Sequence, residues 1–218
     1  MTYVDYVCGE LKKAKPGMPI FVSRLSEGLA AANELRLPAA SAATSVAVKR
    51  IMDSNLIPDL RCYQKGIYYR TAVTPFGELG IDKEQLIAEK YLKPHIGYET
   101  GPGLLYRIGL TTQLPRERIL ATNAAKNGTR LDERLGVIIR PAKTEVNADN
   151  KDYLQILDAM DCFGKAPIDA EKPFAVLADH IRRKGLAYEK LLSFADRLYN
   201  KNTILQIAHT AAEGENNQ

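Results

Sequence analysis

The chain has 218 residues, of which 45% are hydrophobic and 26% are charged, and it carries a formal net charge of +4. This composition is typical of a globular protein with one domain or two. No stretch reaches the roughly 18 consecutive apolar residues of a membrane span, and the N-terminal residues lack the apolar core of a secretory signal. We therefore expect no membrane span and no signal peptide.

The three cysteines, Cys8, Cys62 and Cys162, are widely spaced and form no CxxC motif. An odd number of scattered cysteines is typical of reduced thiols. The sequence therefore predicts a cytoplasmic protein without a structural disulfide.

The excess positive charge lies in the first third of the chain. Residues 1–75 contain ten Lys or Arg against six Asp or Glu, whereas residues 76–218 contain twenty of each. An anion-binding module joined to a neutral domain would produce this pattern. Such an excess is also within ordinary fluctuation, so both interpretations stay open.

The first 75 residues predict three helices, one short strand and a hairpin. Apolar residues recur at helical intervals over residues 3–13, MPIFV is extended, and Ser23 is a candidate N-cap for a helix at SRLSEGLAA. A third helix runs from Ala39 to Met52. The runs DLRC and IYYRT then flank a turn at Gly66. This order of elements is that of a winged helix-turn-helix domain.

The Pro- and Gly-rich segment VTPFGELGID marks a domain boundary, which divides the chain into residues 1–75 and 76–218. In the second part, KEQLIAEKYL predicts a helix, and GYETGPGLLYRIG predicts a turn and a short helix that Gly109 closes. Residues 118–143 predict two or three strands with a hairpin at Asn127–Gly128. Four helical segments follow. The predicted fold class is α+β, with an N-terminal winged helix-turn-helix domain followed by an α+β domain with a helical C-terminal part.

The sequence contains no recognisable catalytic or metal-binding motif. His95, His180 and His209 are far apart and have no metal-ligand spacing. The segment GYETGPG lacks the third glycine of a dinucleotide loop and the Lys-Ser/Thr of a Walker loop, and no GxSxG elbow is present. We therefore expect no enzyme activity, no metal and no cofactor. A nucleotide-binding enzyme that uses GYETGPG remains an open alternative.

The third helix has the composition of a helix that reads DNA. From Ala39 to Met52 it contains no acidic residue, and the phosphates that line the major groove would repel a carboxylate on its outer face. The alternative is a small-residue helix that packs closely against its neighbours and binds no ligand.

The helical period divides this helix into an inner and an outer face. The residues predicted to pack inward are Ala43 or Thr44, Ala47, Val48 and Ile51. The residues predicted to bind DNA lie on the outer face and on the hairpin: Ser41, Ser45, Lys49, Arg50, Arg61 and Lys65. Serine, lysine and arginine side chains can hydrogen-bond phosphates or base edges.

Several motifs together resemble one protein family. They are PGMPIF, VKRIMDSNLI, KGIYYR, TPFGEL, IGYETGPGLLYRIGLTTQLP and ILATN, and they lie within residues 10–145. In this combination the chain resembles the AbiEi-like antitoxins of bacterial type IV toxin–antitoxin systems. The order of a Gly-containing turn, a short helix and GLTTQLP is the most specific part of the resemblance.

The resemblance implies a transcriptional autorepressor whose winged-helix domain binds double-stranded DNA at inverted repeats in its own promoter. It also implies that the C-terminal domain counteracts a nucleotidyltransferase-like toxin encoded next door, without a need for direct contact, and that catalytic residues are absent. Family members often have a more basic third helix, whereas here only Lys49 and Arg50 carry charge. We therefore expect a monomer or weak dimer that pairs on DNA. The alternative function is a protein-interaction module that contacts a protein partner through the winged helix, without DNA binding.

Overall fold

The structure, a computed structural model, describes residues 2–216. The chain forms two compact units and divides after Leu86. Both units contain helices and strands, so the predicted α+β class is confirmed.

Three helices build most of the first unit: α1 (Tyr3–Lys13), α2 (Val22–Asn33) and α3 (Leu37–Asp53). A reciprocal cap fixes the start of α1, because the Thr2 hydroxyl accepts from the Asp5 amide and the Asp5 carboxylate accepts from the Thr2 amide. Glu34, with left-handed backbone, ends α2. Pro38 lies in the first turn of α3, where no amide hydrogen is needed.

A three-stranded antiparallel sheet completes this unit, with β1 (Ile20–Phe21), β2 (Leu60–Gln64) and β3 (Ile67–Arg70) in the order β1-β3-β2. The strands β2 and β3 form the predicted hairpin. Gly66 in its turn has φ +83°, a conformation that glycine adopts without steric cost. The observed order of helix, strand, helix, helix and hairpin agrees with the order predicted from the sequence.

The core of the first unit lies between α1, α3 and the sheet, and its buried residues are Val7, Leu11, Ala47, Val48, Ile51, Ile57 and Leu60. Thr44 is fully buried and Ala43 only partly, so Thr44 is the inward-facing residue of those two alternatives. The predicted inner face of α3 is confirmed.

The predicted N-cap at Ser23 is wrong. Helix α2 begins at Val22, so Ser23 lies inside the first turn and is exposed. Phe21 pairs with Ile67 in the sheet, and no side chain caps the helix. Because β1 leads directly into α2, there is no loop residue in which a polar cap could lie.

The first unit extends beyond the predicted boundary at residue 75. A small hairpin, β4 (Val73–Thr74) and β5 (Gly77–Glu78), follows β3. The chain then returns to the unit, where the Asp82 amide donates a hydrogen bond to the Gly17 carbonyl over 2.7 Å. This return explains why the chain divides after Leu86.

The position of the division changes the charge comparison. Residues 76–86 add Lys83 to the first unit, but also Glu78, Asp82 and Glu84. Both units therefore carry a net charge of +2, with 11 basic and 9 acidic residues in the first and 19 and 17 in the second. The two units do not differ in net charge, and an argument for anion binding has to depend on where the charges lie.

The second unit contains a four-stranded sheet of order β6-β7-β9-β8, formed by β6 (Gly97–Thr100), β7 (Arg118–Thr122), β8 (Arg130–Asp132) and β9 (Val137–Arg140). The pair β7–β9 is parallel, and the other two pairs are antiparallel. This sheet confirms that residues 118–143 form strands.

Two details predicted for this sheet are wrong. Gly128 does have a positive φ of 89°, but β7 and β8 are not neighbours, and the hairpin instead joins β8 to β9 at Gly136, where φ is 67°. The residues GYET form strand β6 and not a turn. All four residues are buried, so the side chains on both faces of this strand are covered. Such a strand lacks the alternation of polar and apolar residues by which a half-exposed strand is recognised in a sequence.

The remaining helices are α4 (Lys83–Ile87), which continues as a π-helical turn over Ala88–Leu92, α5 (Pro102–Ile108), α6 (Lys151–Asp161), α7 (Pro173–Lys184), α8 (Tyr188–Leu198) and α9 (Lys201–Asn216). Gly109 closes α5 with φ 84°, as predicted. Leu105, Leu157, Leu177 and Leu191 of α5–α8 are fully buried in one core. Within the described residues, none of the helices is long and apolar enough to cross a membrane.

Candidate nucleic-acid interface

The outer face of α3 consists of small, uncharged residues with two cations near its end. Ser41, Ser45, Lys49 and Arg50 are all exposed, as predicted. Val46 lies among them, and 51% of its surface is exposed. The opposite side of the helix is buried in the core and consists of Thr44, Ala47, Val48 and Ile51. The helical period therefore places the serines, Val46 and the two cations on the solvent side.

A groove of about 440 Å³ separates α3 from the β2–β3 hairpin. Ser45 and Lys49 line it from the helix, Cys62 and Tyr68 line it from the strands, and Lys65 lies at the turn. The groove therefore brings together three of the six predicted DNA-binding residues, two of which are lysines. In the part of the chain that the structure describes, neither Lys49, Lys65 nor Arg50 has an ion-pair partner.

The strands contribute Tyr68 and Cys62 to the groove, and neither is a cation or a carboxylate. Burial, and then the adjacent Cys62 sulfur, raise the pKa of the Tyr68 hydroxyl above its ordinary value, so this residue is neutral at physiological pH. The Cys62 thiol donates a weak hydrogen bond to the Gln64 carbonyl. The charges in the groove are therefore those of the two lysines.

The Ser45 hydroxyl is already in use as a donor. It donates a hydrogen bond of 2.8 Å to the Ser41 carbonyl, one turn earlier in the helix. While this bond persists, the oxygen of Ser45 can only accept a hydrogen bond from a ligand.

Arg61 does not line the groove. Its guanidinium donates to the Glu78 carboxylate at 2.7 Å and to the carbonyl of Pro58 at 2.8 Å. Leu60 is buried in the core and Cys62 lines the groove, so the alternation along β2 directs Arg61 to the other face of the sheet. Its charge is balanced within the first unit.

Arg50 lies on the other side of α3 from the groove. There a second depression, of about 260 Å³, is lined by Tyr3 of α1 and by Ala42, Val46 and Arg50 of α3. The exposed residues Ala42 and Val46 form the outer ridge of α3. Cations lie on both sides of this ridge, with Arg50 towards α1 and Lys49 and Lys65 towards the hairpin.

The GYETGPG segment of the second unit is packed against a buried carboxylate. Glu99 is 6% exposed and accepts hydrogen bonds from Arg107 and Arg118. A Cβ atom at Gly103 would lie 2.7 Å from the Glu99 carboxylate, so any larger residue there would displace this carboxylate from its position. This packing accounts for Gly103 without a bound nucleotide.

A second buried carboxylate of this unit, Asp158, is also paired internally. Asp158 is 3% exposed and accepts hydrogen bonds from Thr100, Arg140 and Tyr199. No group of three or more His, Cys, Asp or Glu residues is arranged to hold a metal ion in the described part of the chain. The cysteines are free thiols.

Sequence reasoning missed Tyr68 and Cys62 as groove residues and Glu78 as the partner of Arg61. Tyr68 and Cys62 face each other across the hairpin, but the register shifts between Cys62 and Gln64, so counting back from the turn at Gly66 would have paired Cys62 with Tyr69 instead. No local signal indicates the Arg61–Glu78 pair, because it depends on the second hairpin folding back against β2.

No family model matches the sequence, and no curated protein or solved structure is significantly similar to it.

Proposed function

We propose that the first unit is a winged helix-turn-helix domain that binds double-stranded DNA. In this proposal α3 is the recognition helix, which enters the major groove, and the β2–β3 hairpin is the wing, which lies along the flanking phosphates. The predicted order of elements and the inner face of α3 support this assignment.

The single observation that carries the proposal is the groove between α3 and the hairpin. Lys49 and Lys65 come from segments that are separate in sequence, line the same groove and have no ion-pair partner among the described residues. Exposed cations without partners are available to neutralise phosphates and release counterions. The absence of carboxylates between Ala39 and Met52 removes the main source of repulsion.

We further propose that this DNA binding serves autorepression, at inverted repeats of the chain's own promoter, and that the protein is an antitoxin of a type IV system. The motifs that resemble the AbiEi-like antitoxins support this role. The second unit would then counteract a nucleotidyltransferase-like toxin, and the protein would be neither an enzyme nor dependent on a cofactor. With only two cations on α3, pairing of two chains on adjacent half-sites would supply the missing affinity.

Reversal of one charge in the groove tests the proposal. Fluorescence anisotropy with the DNA upstream of the gene should show binding that weakens as salt rises. Lys49→Glu should weaken this binding by more than about 100-fold at low salt, because it places a carboxylate among phosphates. The unfolding midpoint should not change, since Lys49 is exposed.

Lys15→Glu is the matched control. It makes the same charge change at an exposed lysine of the first unit that lies outside the groove. We expect its affinity to stay within about threefold of the wild type. Equal losses for the two variants would contradict the assignment of α3 as the recognition helix.

A protein-interaction module is the second candidate, and the β4–β5 hairpin is the observation that favours it. Phe76 is 100% exposed and Val73 is 92% exposed. Fully exposed large apolar side chains that are close in sequence are typical of protein contacts. This function predicts that the product of the neighbouring gene copurifies with the wild type but not with Phe76→Ala, and that DNA does not bind even at about 50 mM salt.

A further inference from the structure

The outer ridge of α3 presents the methyl groups of alanine and valine, and no side-chain hydrogen-bond donor, to the solvent. Ala42 and Val46 lie one turn apart and are both exposed, with Val46 at 51%. They sit between the lysine groove on one side and Arg50 on the other.

The polar groups beside this ridge have little capacity to read bases. The Ser45 hydroxyl donates to the Ser41 carbonyl and is left as an acceptor. The helix carries no Asn, Gln, Asp or Glu between Ala39 and Met52, so the bidentate amide contacts to adenine and the carboxylate contacts to cytosine are absent. Between Ser41 and the cations Lys49 and Arg50, the exposed side chains Ala42 and Val46 can therefore contact bases only through apolar groups.

A shallow apolar depression lies next to Val46. Tyr3 of α1 and Ala42, Ala43 and Val46 of α3 line it, and Arg50 lies at its edge. Its volume of about 260 Å³ leaves room for a methyl group against Val46 while the guanidinium of Arg50 reaches a phosphate beside it.

Only one base displays a methyl group in the major groove of unmodified DNA, and that base is thymine. We infer that the recognition helix reads thymine C5-methyl groups through Val46, with Ala42 one turn before it, and that its target half-site has thymine where the centre of α3 enters the groove. This inference rests on the proposed function, since it requires α3 to lie in the major groove.

Replacement of thymidine by deoxyuridine tests this inference, because it removes the methyl group and leaves the base-pairing edge intact. The probe is the tightest 20-bp duplex recovered by selection from a random-sequence library, together with the same duplex in which every thymidine is deoxyuridine. The wild type should bind the deoxyuridine duplex about five- to tenfold more weakly, as expected for the loss of one or two buried methyl contacts.

Val46→Ala shortens the side chain at a half-exposed helical position, where alanine is well tolerated. This variant should bind the two duplexes within about twofold of each other. Val73→Ala is the matched control, because it makes the same change at a residue that is 92% exposed on the β4–β5 hairpin. It should keep the full preference for thymidine.

The outcomes separate this inference from the proposed function. Binding to both duplexes with equal affinity, a selected site without central thymines, or an undiminished preference in Val46→Ala would each overturn the methyl readout and leave DNA binding intact. Absence of salt-dependent binding to any selected duplex would overturn the proposed function and the inference together.

Discussion

The two units have the same net charge, but the second contains cations paired with buried carboxylates and the first contains cations that line one groove and are unpaired in the part of the chain that the structure describes. In the second unit, the carboxylates of Glu99, Asp158 and Asp132 are buried or half-buried, and each accepts hydrogen bonds from a cation: Arg107 and Arg118, Arg140, and Lys90. In the first unit, Lys49 and Lys65 line an open groove, and neither has an ion-pair partner among the described residues.

The physical reason for this difference is solvation. A carboxylate that leaves water must be paired or it destabilises the fold, so the cations that pair with Glu99, Asp158 and Asp132 are fixed by structural need. An exposed lysine is solvated without a partner and gains little from one. Unpaired exposed cations that converge are therefore a better indicator of an anion-binding surface than the net charge of a domain.

The largest expected effect is the loss of a buried partner in the second unit. Asp158→Ala would leave Arg140 without its carboxylate and remove acceptors from Thr100 and Tyr199. We expect the free energy of unfolding to fall by about 3–5 kcal/mol, measured by urea denaturation.

Asp179→Ala is the control, since Asp179 also pairs with an arginine, Arg182, but on the surface. Its effect should be below about 0.5 kcal/mol. Similar losses for the two variants would contradict the contrast between buried and exposed charges.

A smaller, pH-dependent effect is expected at Asp132. Burial alone would raise the pKa of this carboxyl, but hydrogen bonds from Lys90 and Tyr91 outweigh burial and hold the pKa below its ordinary value. A carboxyl whose pKa is depressed on folding adds stability at pH values above its unfolded pKa, and this stability is lost as the pH falls through the folded pKa.

Asp132→Asn should therefore lower the free energy of unfolding by about 2 kcal/mol at pH 7. The difference from the wild type should begin to narrow below about pH 4, near the unfolded pKa, and should close as the pH falls through the lower pKa of the folded carboxyl. Glu133→Gln, at the exposed neighbouring position, should leave the pH profile unchanged. A constant difference across the acid range would show that the ionised form contributes nothing.

The smallest effect is a gain in stability in the first unit. Thr44 is fully buried in α3, and its hydroxyl finds no hydrogen-bond partner among the described residues. Thr44→Val keeps the shape and removes the unpaired hydroxyl, so the free energy of unfolding should rise by about 1 kcal/mol. DNA affinity should not change, because Thr44 faces the core. A loss of stability would mean that the hydroxyl is paired in solution.

Local patterns were sufficient to predict the order of elements from α1 to β3 and the inner face of α3, because helical periodicity and one glycine turn determine them. The inward residues Ala47, Val48 and Ile51 follow from the period alone, and the hairpin follows from Gly66. Contacts between distant segments could not be predicted. The strand β6 is buried along its whole length, and Glu78 reaches Arg61 only after the second hairpin folds.

The salt dependence of DNA binding is the most direct test of the claim that unpaired groove lysines form the interface. The test measures the wild type, the double variant Lys49→Ala/Lys65→Ala and a control double variant, Lys12→Ala/Lys15→Ala. The two control lysines are exposed on the same unit but lie outside the groove. Each phosphate contact contributes about 0.9 to the slope of log K against log salt. The groove variant should therefore have a slope shallower by about 1.8, and the control variant should match the wild type. Equal slopes for all three proteins would contradict the claim.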